Sequence, residues 1–374
     1  MDNHRRLIYT EGMYLHERDN GVSFRWDESR ILPLLGDARF SQGRLLGELE
    51  SLGFEYLDEI ESETLVSEVI ASSRIEGIAL DAGKVRSSVC RQLGLEQGDP
   101  LPDTHDVEGA VDILMDATRG FAEPLSHERL FVWHAALFPT GRSGLQRIRV
   151  AQYRDTGMQV VSGPMGKEKV HYEAPAPELV SGMMDAFIAW FNDATNEEPL
   201  TKAGIAHLWF VTIHPFDDGN GRIARALTEC LLARSDRSPR RFYNMAEQIL
   251  ATRKKYYDVL EMTQKGDGDI TEWLIWFLQT LGKALDQSRE RLRGVLDRAG
   301  FWQVLEGVFL NVRQREMLNK LKSGFEGKLT TGKWAKICKV SADTALRDIK
   351  DLVDKGILEQ DAGGGRSTSY HLTL

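Results

Sequence analysis

The densest concentration of reactive residue types in this 374-residue chain is the run HPFDDGNGRIAR, residues 214–225, set between two apolar segments. Pro215 disfavours a helical backbone for the residue before it, so a helix should end at His214. That leaves an imidazole at the lip of a loop, where it can act as a general base. Residues 217–221 (DDGNG) predict a tight turn whose glycines adopt unusual dihedrals and whose amides converge on an anion. A helix starting directly after the turn adds its N-terminal amides and dipole to the same place. Arg222 and Arg225 are three residues apart, which puts both guanidinium groups on one helical face, able to reach one polyphosphate. A carboxylate such as Asp218 beside those phosphates could hold a Mg²⁺ ion. Base, carboxylate, glycine nest and paired arginines within twelve residues point to phosphoryl-group chemistry rather than to a plain turn.

The elements that must position this run read as mostly helical. Apolar residues recur at three- and four-residue spacing over 41–54, 62–78, 105–119, 126–137, 177–194, 202–214, 223–235, 245–265 and 270–299. Ser62, Ser126, Thr201 and Asp269 are the expected caps. Residues 148–177 break the pattern with β-branched and aromatic residues around Gly163-Pro164 and Gly166, which predicts a hairpin. A lone hairpin is marginal in water, so it must pack on the helical body or await a partner. Trp273, Trp276 and Phe277 are expected in the core, Asp217 as a solvated or helix-start residue, and the remaining histidines as surface or satisfied core groups. After residue 300 come three short predicted helices, 312–322, 330–338 and 341–355, then two strands around a Gly-rich turn. That is the layout of a winged helix-turn-helix, with Arg347 and Lys350 on the third helix and Arg366 at the wing tip.

Composition narrows the class. A 42% apolar fraction excludes disorder, and no apolar stretch reaches the ~20 residues of a membrane span. The first residues lack the apolar run of a secretory leader, and Cys90, Cys230 and Cys338 lie far apart without metal-ligand spacing. A soluble, cytoplasmic protein is expected. The net charge of −9 is uneven: from residue 312 onward twelve Lys/Arg face eight Asp/Glu, a net of +4 that leaves −13 on the rest. The basic tail makes duplex DNA a candidate partner at the C-terminus only.

The motif from His214 to Arg225 matches the Fic family pattern HxFx(D/E)GNGRxxR at every defined position, and residues 254–278 and the hairpin also resemble that family. The resemblance implies a mainly α fold: an N-terminal helical region (1–100) with an inhibitory helix at about 62–78, a helical catalytic domain (101–295) with a β-hairpin flap, and a winged helix (300–374). It implies a nucleotidyltransferase that moves AMP from ATP to a Ser, Thr or Tyr hydroxyl of a target protein or of itself. By that resemblance His214 is the base and Asp218 holds Mg²⁺. The amides of Gly219 and Gly221 and the Asn220 side chain hold phosphates, and Arg222 and Arg225 support the β- and γ-phosphates. Phe216, grouped with the nucleotide-site residues, is structural and packs the loop into the core, while Tyr256 and Tyr257 fall at the adenine pocket. The flap, about 148–174, would pair with an extended target segment. A second copy of the chain is a further candidate partner.

Ser72-Ser73-Arg74-Ile75-Glu76-Gly77 matches the family's inhibitory motif (S/T)xxxE(G/N). The resemblance implies that Glu76 pairs with Arg225 and takes the place of the γ-phosphate. The same glutamate could instead orient water that removes AMP from a modified target, so the direction of transfer stays open. From another class, the chain reads as a DNA-binding regulator with a nucleotide-sensing domain.

Overall fold

The computed structural model describes residues 14, 16, 24–50, 54–95, 104–162, 169–193, 197–322, 325–362 and 368–373. The chain divides into two compact units, Met1–Arg289 and Glu290–Leu374. The first opens with helices α1 (Glu28–Glu50), α2 (Phe54–Ile75), α3 (Ala82–Leu93), α4 (His105–Arg119) and α5 (His127–Leu137). Strands β1 (Arg142–Ser143), β2 (Gln146–Arg147), β3 (Gln159–Ser162) and β4 (Lys169–Glu173) follow as two antiparallel pairs. Helices α6 (Pro177–Asn192), α7 (Pro199–Ile213), α8 (Asn220–Asp236), α9 (Met245–Ala251), α10 (Arg253–Gln264) and α11 (Thr271–Val304) complete it, α11 running past the unit boundary.

α7 and α8 form the centre, and their composition explains why. PLTKAGIAHLWFVTI is apolar on every side, and nearly every residue of α7 is buried; a helix apolar all round belongs inside. Trp273 and Phe277 of α11 pack in the same core, as their spacing predicts. The β3–β4 hairpin is anchored through Tyr172, 2% exposed, whose hydroxyl donates to the Thr212 carbonyl at 2.6 Å. Its turn, residues 163–168, lies outside the described residues.

Several boundaries differ from the sequence expectation. The helix expected from 41 starts at Glu28 and contains Pro33, because burial of Ile31, Ala38 and Leu45 outweighs the helix-breaking residues. α2 starts at Phe54, so Ser62 is no cap; its hydroxyl donates to the Glu59 carbonyl at 2.9 Å. At α7 the cap is Glu198, which accepts from the Thr201 amide, rather than Thr201. Ser126 and Asp269 do cap as expected. The stretch 245–265 is two helices meeting at Thr252. α3 has no counterpart in the sequence expectation, although Asp81 caps its start and Gly94, at φ 71°, ends it.

The second unit holds α12 (Val312–Lys322), β5 (Leu329–Thr330), α13 (Thr331–Cys338), α14 (Ala342–Asp354), β6 (Leu358–Gln360) and β7 (Ser369–Leu372). Thr330 and Ser341 cap α13 and α14. Trp334, Ile349, Leu352, Met317 and Leu318 fill a separate core. The expected two-stranded wing gains a third strand, since β5 pairs with β7 to give the order β5-β7-β6. Arg366 lies outside the described residues. No described helix is long and apolar enough to cross a membrane.

Candidate active site

His214 is the residue after α7 and stands in the left-handed region at φ 50°, ψ 58°. Pro215 ends the helix there, as the sequence predicts. The imidazole Nδ1 lies 3.3 Å from the Val211 carbonyl. A carbonyl only accepts, so Nδ1 carries the proton and Nε2 keeps its lone pair. Burial lowers the proton affinity of the ring, with the nearby Arg154 cation in the same sense, while the Val211 hydrogen bond, Glu76 and Asp218 oppose. The net direction is downward, which keeps the ring neutral and able to accept a proton.

The loop after His214 is built from within. Phe216 is fully buried and stacks on His134, ring centroids 4.2 Å apart and planes 12° apart. It therefore supports the loop from the core, the structural role expected of it, although the resemblance groups it with the nucleotide-site residues; its side chain faces no nucleotide. Asn220 departs from expectation. Its side chain is 2% exposed and spent on the loop, accepting from the Phe216 amide at 3.0 Å and donating to the Phe216 carbonyl at 2.7 Å. Any contribution of Asn220 to phosphate binding comes from its backbone amide at the start of α8. Asp217 is neither free nor a cap; it accepts from the Arg149 amide at 2.8 Å.

Gly219 sits at φ 84°, and a Cβ there would come within 2.9 Å of the Phe138 ring. Both the dihedral and the space demand glycine. Asp218 is oriented by two donors, the Gly219 amide at 2.5 Å and the Ser143 hydroxyl.

Arg222 lies over the Phe138 ring, 5.0 Å from its centroid, and its buried Nε has no partner among the described residues. Arg225, 3% exposed, is held from α2. Its Nε donates to Ser72 Oγ at 2.8 Å, and one terminal nitrogen donates to the Ser72 carbonyl at 2.9 Å and to Glu76 Oε1 at 2.7 Å. The other terminal nitrogen is buried without a partner among the described residues. The Glu76 carboxylate is pressed against the first turn of α8, for a Cβ on Gly221 would meet Oε1 at 2.2 Å. A carboxylate thus stands where the helix amides and dipole attract an anion.

A cleft of about 650 Å³ adjoins this centre, lined among others by His214, Gly221, Glu76, Val161, His171 and Tyr257. Tyr256 lines it too but is 2% exposed, its hydroxyl 2.9 Å from His207 Nε2. Tyr257 is 37% exposed, and its hydroxyl donates to the Ile75 carbonyl at 3.4 Å, bracing the end of the helix that carries Glu76. Neither Arg222 nor Arg225 lines this cleft. His171, expected as a background histidine, faces the cleft and sits 2.5 Å from Glu261.

Sequence reasoning missed the residues that hold the loop from outside. His134 accepts the Ala151 amide at Nδ1, 3.2 Å, and its Nε2 donates to the Asp218 carbonyl at 3.2 Å. Desolvation lowers its pKa to about 4, and that of fully buried His207 to about 3. Both values lie below the 6.5 of a free imidazole. The stability they contribute is therefore full above about pH 6.5 and is lost as pH falls towards 4 and below. Melting temperature followed from neutral to acid pH should fall less steeply in His134→Gln and His207→Gln than in the native chain; equal slopes would remove these histidines as the cause.

Three family models match the chain: a domain of unknown function (DUF4172) over 14–95, the Fic/DOC family over 124–232, and a DeoR-like helix-turn-helix domain over 313–370. Among curated relatives, protein adenylyltransferase fic-1 of Caenorhabditis briggsae is 32% identical over 143 residues, 38% of this chain and 26% of its own length. Protein adenylyltransferase Fic of Aedes aegypti is 27% identical over 217 residues, 56% of this chain and 39% of its own. The matches thus span well under half of those relatives. A Fic family protein from Desulfovibrio desulfuricans G20 superposes with a TM-score of 0.51 at 20% identity, covering 91% of this chain and 96% of that one. Fic-1 (residues 134–508) of Caenorhabditis elegans does so at 0.51 and 22%, covering 73% and 74%. These likenesses speak to the fold; by the matching models the chain carries a Fic/DOC domain over residues 124–232, which holds the loop from His214 to Arg225, and a DeoR-like helix-turn-helix domain over 313–370.

Proposed function

We propose that this chain is a protein adenylyltransferase, transferring AMP from ATP to a hydroxyl of a target protein or of itself, and that Glu76 restrains it. One observation carries the reading furthest: His214 holds an Nε2 that has no hydrogen-bond partner among the described residues, at the rim of a cleft that also reaches Gly221, at the N-terminus of α8. The relatives named above as protein adenylyltransferases support the same activity.

The chemistry balances with these groups. A target hydroxyl gives its proton to His214 Nε2 as its oxygen bonds to the α-phosphorus of ATP. The bond from that phosphorus to the bridging oxygen breaks, and pyrophosphate leaves. The amides of Gly219, Asn220 and Gly221 would face the phosphates, with Arg222 and, once freed, Arg225 stabilising their charge; such catalysis is mostly positioning and electrostatics.

Asp218 suits Mg²⁺, because its carboxylate is already aimed by Ser143 and the Gly219 amide. When bound, the ion would neutralise phosphate charge. The hairpin, with Val161 at 48% and Val170 at 38% exposure, offers a strand on which an extended target segment could lie. Incubation with ATP labelled at the α-phosphate and Mg²⁺, followed by mass spectrometry, tests the reading; covalent AMP is the expected product.

A second reading concerns the winged helix. The DeoR-like match and the exposed Lys333, Lys336, Lys339, Arg347 and Lys350 on α13, α14 and the turn between them favour contact with duplex DNA. The full chain should bind duplex DNA with affinity that falls as salt rises. Arg347→Ala with Lys350→Ala should reduce the logarithmic salt slope by about one for each phosphate the variant no longer neutralises. A slope equal to that of the native chain would place the DNA-binding residues elsewhere.

A further inference from the structure

We propose that Arg154 is the positioning residue that sets His214 for proton transfer, gathering the carbonyls at the end of α7 from behind the motif and tying them to both ends of the hairpin. The inference rests on the transfer reading above and adds a residue that lies sixty positions before the motif.

Arg154 is 2% exposed and, among the described residues, is satisfied by carbonyls rather than by a carboxylate. Its Nε donates to the His214 carbonyl at 2.8 Å. One terminal nitrogen donates to the Thr156 carbonyl at 2.9 Å; the other donates to Pro175 at 2.6 Å and more weakly to Ile213 at 3.5 Å. Its own amide donates to the Pro215 carbonyl at 2.9 Å. Thr156 precedes β3 and Pro175 follows β4, so one side chain links the two feet of the hairpin to the residue bearing the imidazole.

Two features make this more than a helix cap. Desolvating a guanidinium without a carboxylate partner is costly, and glycine after a helix closes its carbonyls without such a group. Here the residue in the left-handed position is His214, at φ 50°. A non-glycine residue is strained there and needs its surroundings to hold it. The fork of Arg154 supplies that restraint, because its planar donors match several carbonyls at once. The helix end also points its negative dipole at the cation.

The cation has a second consequence for the imidazole. The charged and titratable groups around His214 are Arg154 behind it, Glu76 from α2 and Asp218 from the loop. Across the cleft are His171 and Tyr172 from β4 and Arg253, Lys254, Tyr256, Tyr257, Asp258 and Glu261 from α10. Glu76 and Asp218 favour the protonated ring; Arg154, with burial, opposes them.

The test places Arg154→Met and Arg154→Lys in both the native chain and the Glu76→Gly background. In Arg154→Met, kcat for AMP transfer should fall about 100-fold, with KM for ATP held within about twofold, since misplacing a reacting group costs rate more than binding. The acid limb of its pH profile should move to higher pH. Arg154→Lys should keep that limb in place yet lose about tenfold in kcat, because an ammonium cannot span the same carbonyls. Histidine NMR titration reads the same contact without turnover: His214 should titrate at higher pH in Arg154→Met than in the native chain. Native kcat with an unshifted His214 titration would overturn the proposal. If Arg154→Met does not fold, Arg154→Lys decides: a lowered kcat with a normal melting temperature supports the positioning role, and native kcat overturns it. Absence of AMP transfer in the Glu76→Gly background with Arg154 intact would instead sink the transfer reading, leaving the NMR titration as the test of Arg154.

Discussion

Glu76→Gly is expected to raise AMP incorporation, into the chain itself or into a target, by roughly 10- to 100-fold. Glu76 Oε1 accepts from Arg225 at 2.7 Å in a part-buried pair, the guanidinium buried and the carboxylate side chain 30% exposed, and a hydrogen bond to a charged group contributes about 1.5–3 kcal/mol, which is about one to two factors of ten. The carboxylate also sits against Gly221, in the anion position at the start of α8. A phosphate must displace it from both places before Arg225 can serve the nucleotide. In the variant, Arg225 keeps its two bonds to Ser72, so the guanidinium stays in place while one face is freed. The end of α2 should survive, since the Ile78 amide still donates to the Ser73 carbonyl and Tyr257 still braces Ile75. The variant should melt somewhat lower without ligand, because a buried cation is left without its carboxylate. It should regain stability with ATP more than the native chain does, by linkage. The measurements are labelled-AMP incorporation and the ATP-dependent melting shift. Equal incorporation by variant and native chain would end the restraint reading. Loss of AMP from a modified target with the native chain, but not with Glu76→Gly, would assign Glu76 to removal instead.

His214→Ala in the same background should reduce AMP transfer by about 10²- to 10⁴-fold, the usual worth of a positioned general base. Among the described residues the imidazole makes one long hydrogen bond, 3.3 Å to Val211, and it is partly exposed. Its removal should therefore change the melting temperature little. ATP affinity should also hold, because on the proposed reading the groups that would face the phosphates are the loop amides, Arg222 and Arg225. The decisive comparison is labelled transfer against calorimetric ATP binding on the same preparation. Transfer that persists near the parent rate would remove His214 as the base. A fall in transfer matched by a fall in ATP affinity would make it a binding residue.

Much of the site was legible because it depends on near neighbours. Pro215 constrains His214 through local sterics, Gly219 needs a left-handed dihedral, and α8 begins within the motif; none of this needs knowledge of the rest of the chain. Helical spacing placed α4 and α12 at their observed bounds. Burial was less legible. Asn220 carries a motif position, yet its side chain serves the loop, and Tyr256 is held by His207 from another helix. Residue type named the chemistry available at each position but not the direction in which each side chain turns.

Residue types and short spacings, which act over a turn of helix or less, were enough to locate a candidate base, a glycine turn at a helix start and two arginines, and to separate a helical body from a winged helix. Tertiary contacts decided which of those groups is free. Glu76 meets Arg225 across 149 residues, His134 meets Asp218 across 84, and Arg154 meets His214 across 60. Pairings at such separations form only when α2, α5 and the segment before β3 are brought against the α7–α8 pair by burial of their apolar faces. Burial of those faces is governed by the summed packing of many residues, and no local pattern around the motif encodes it.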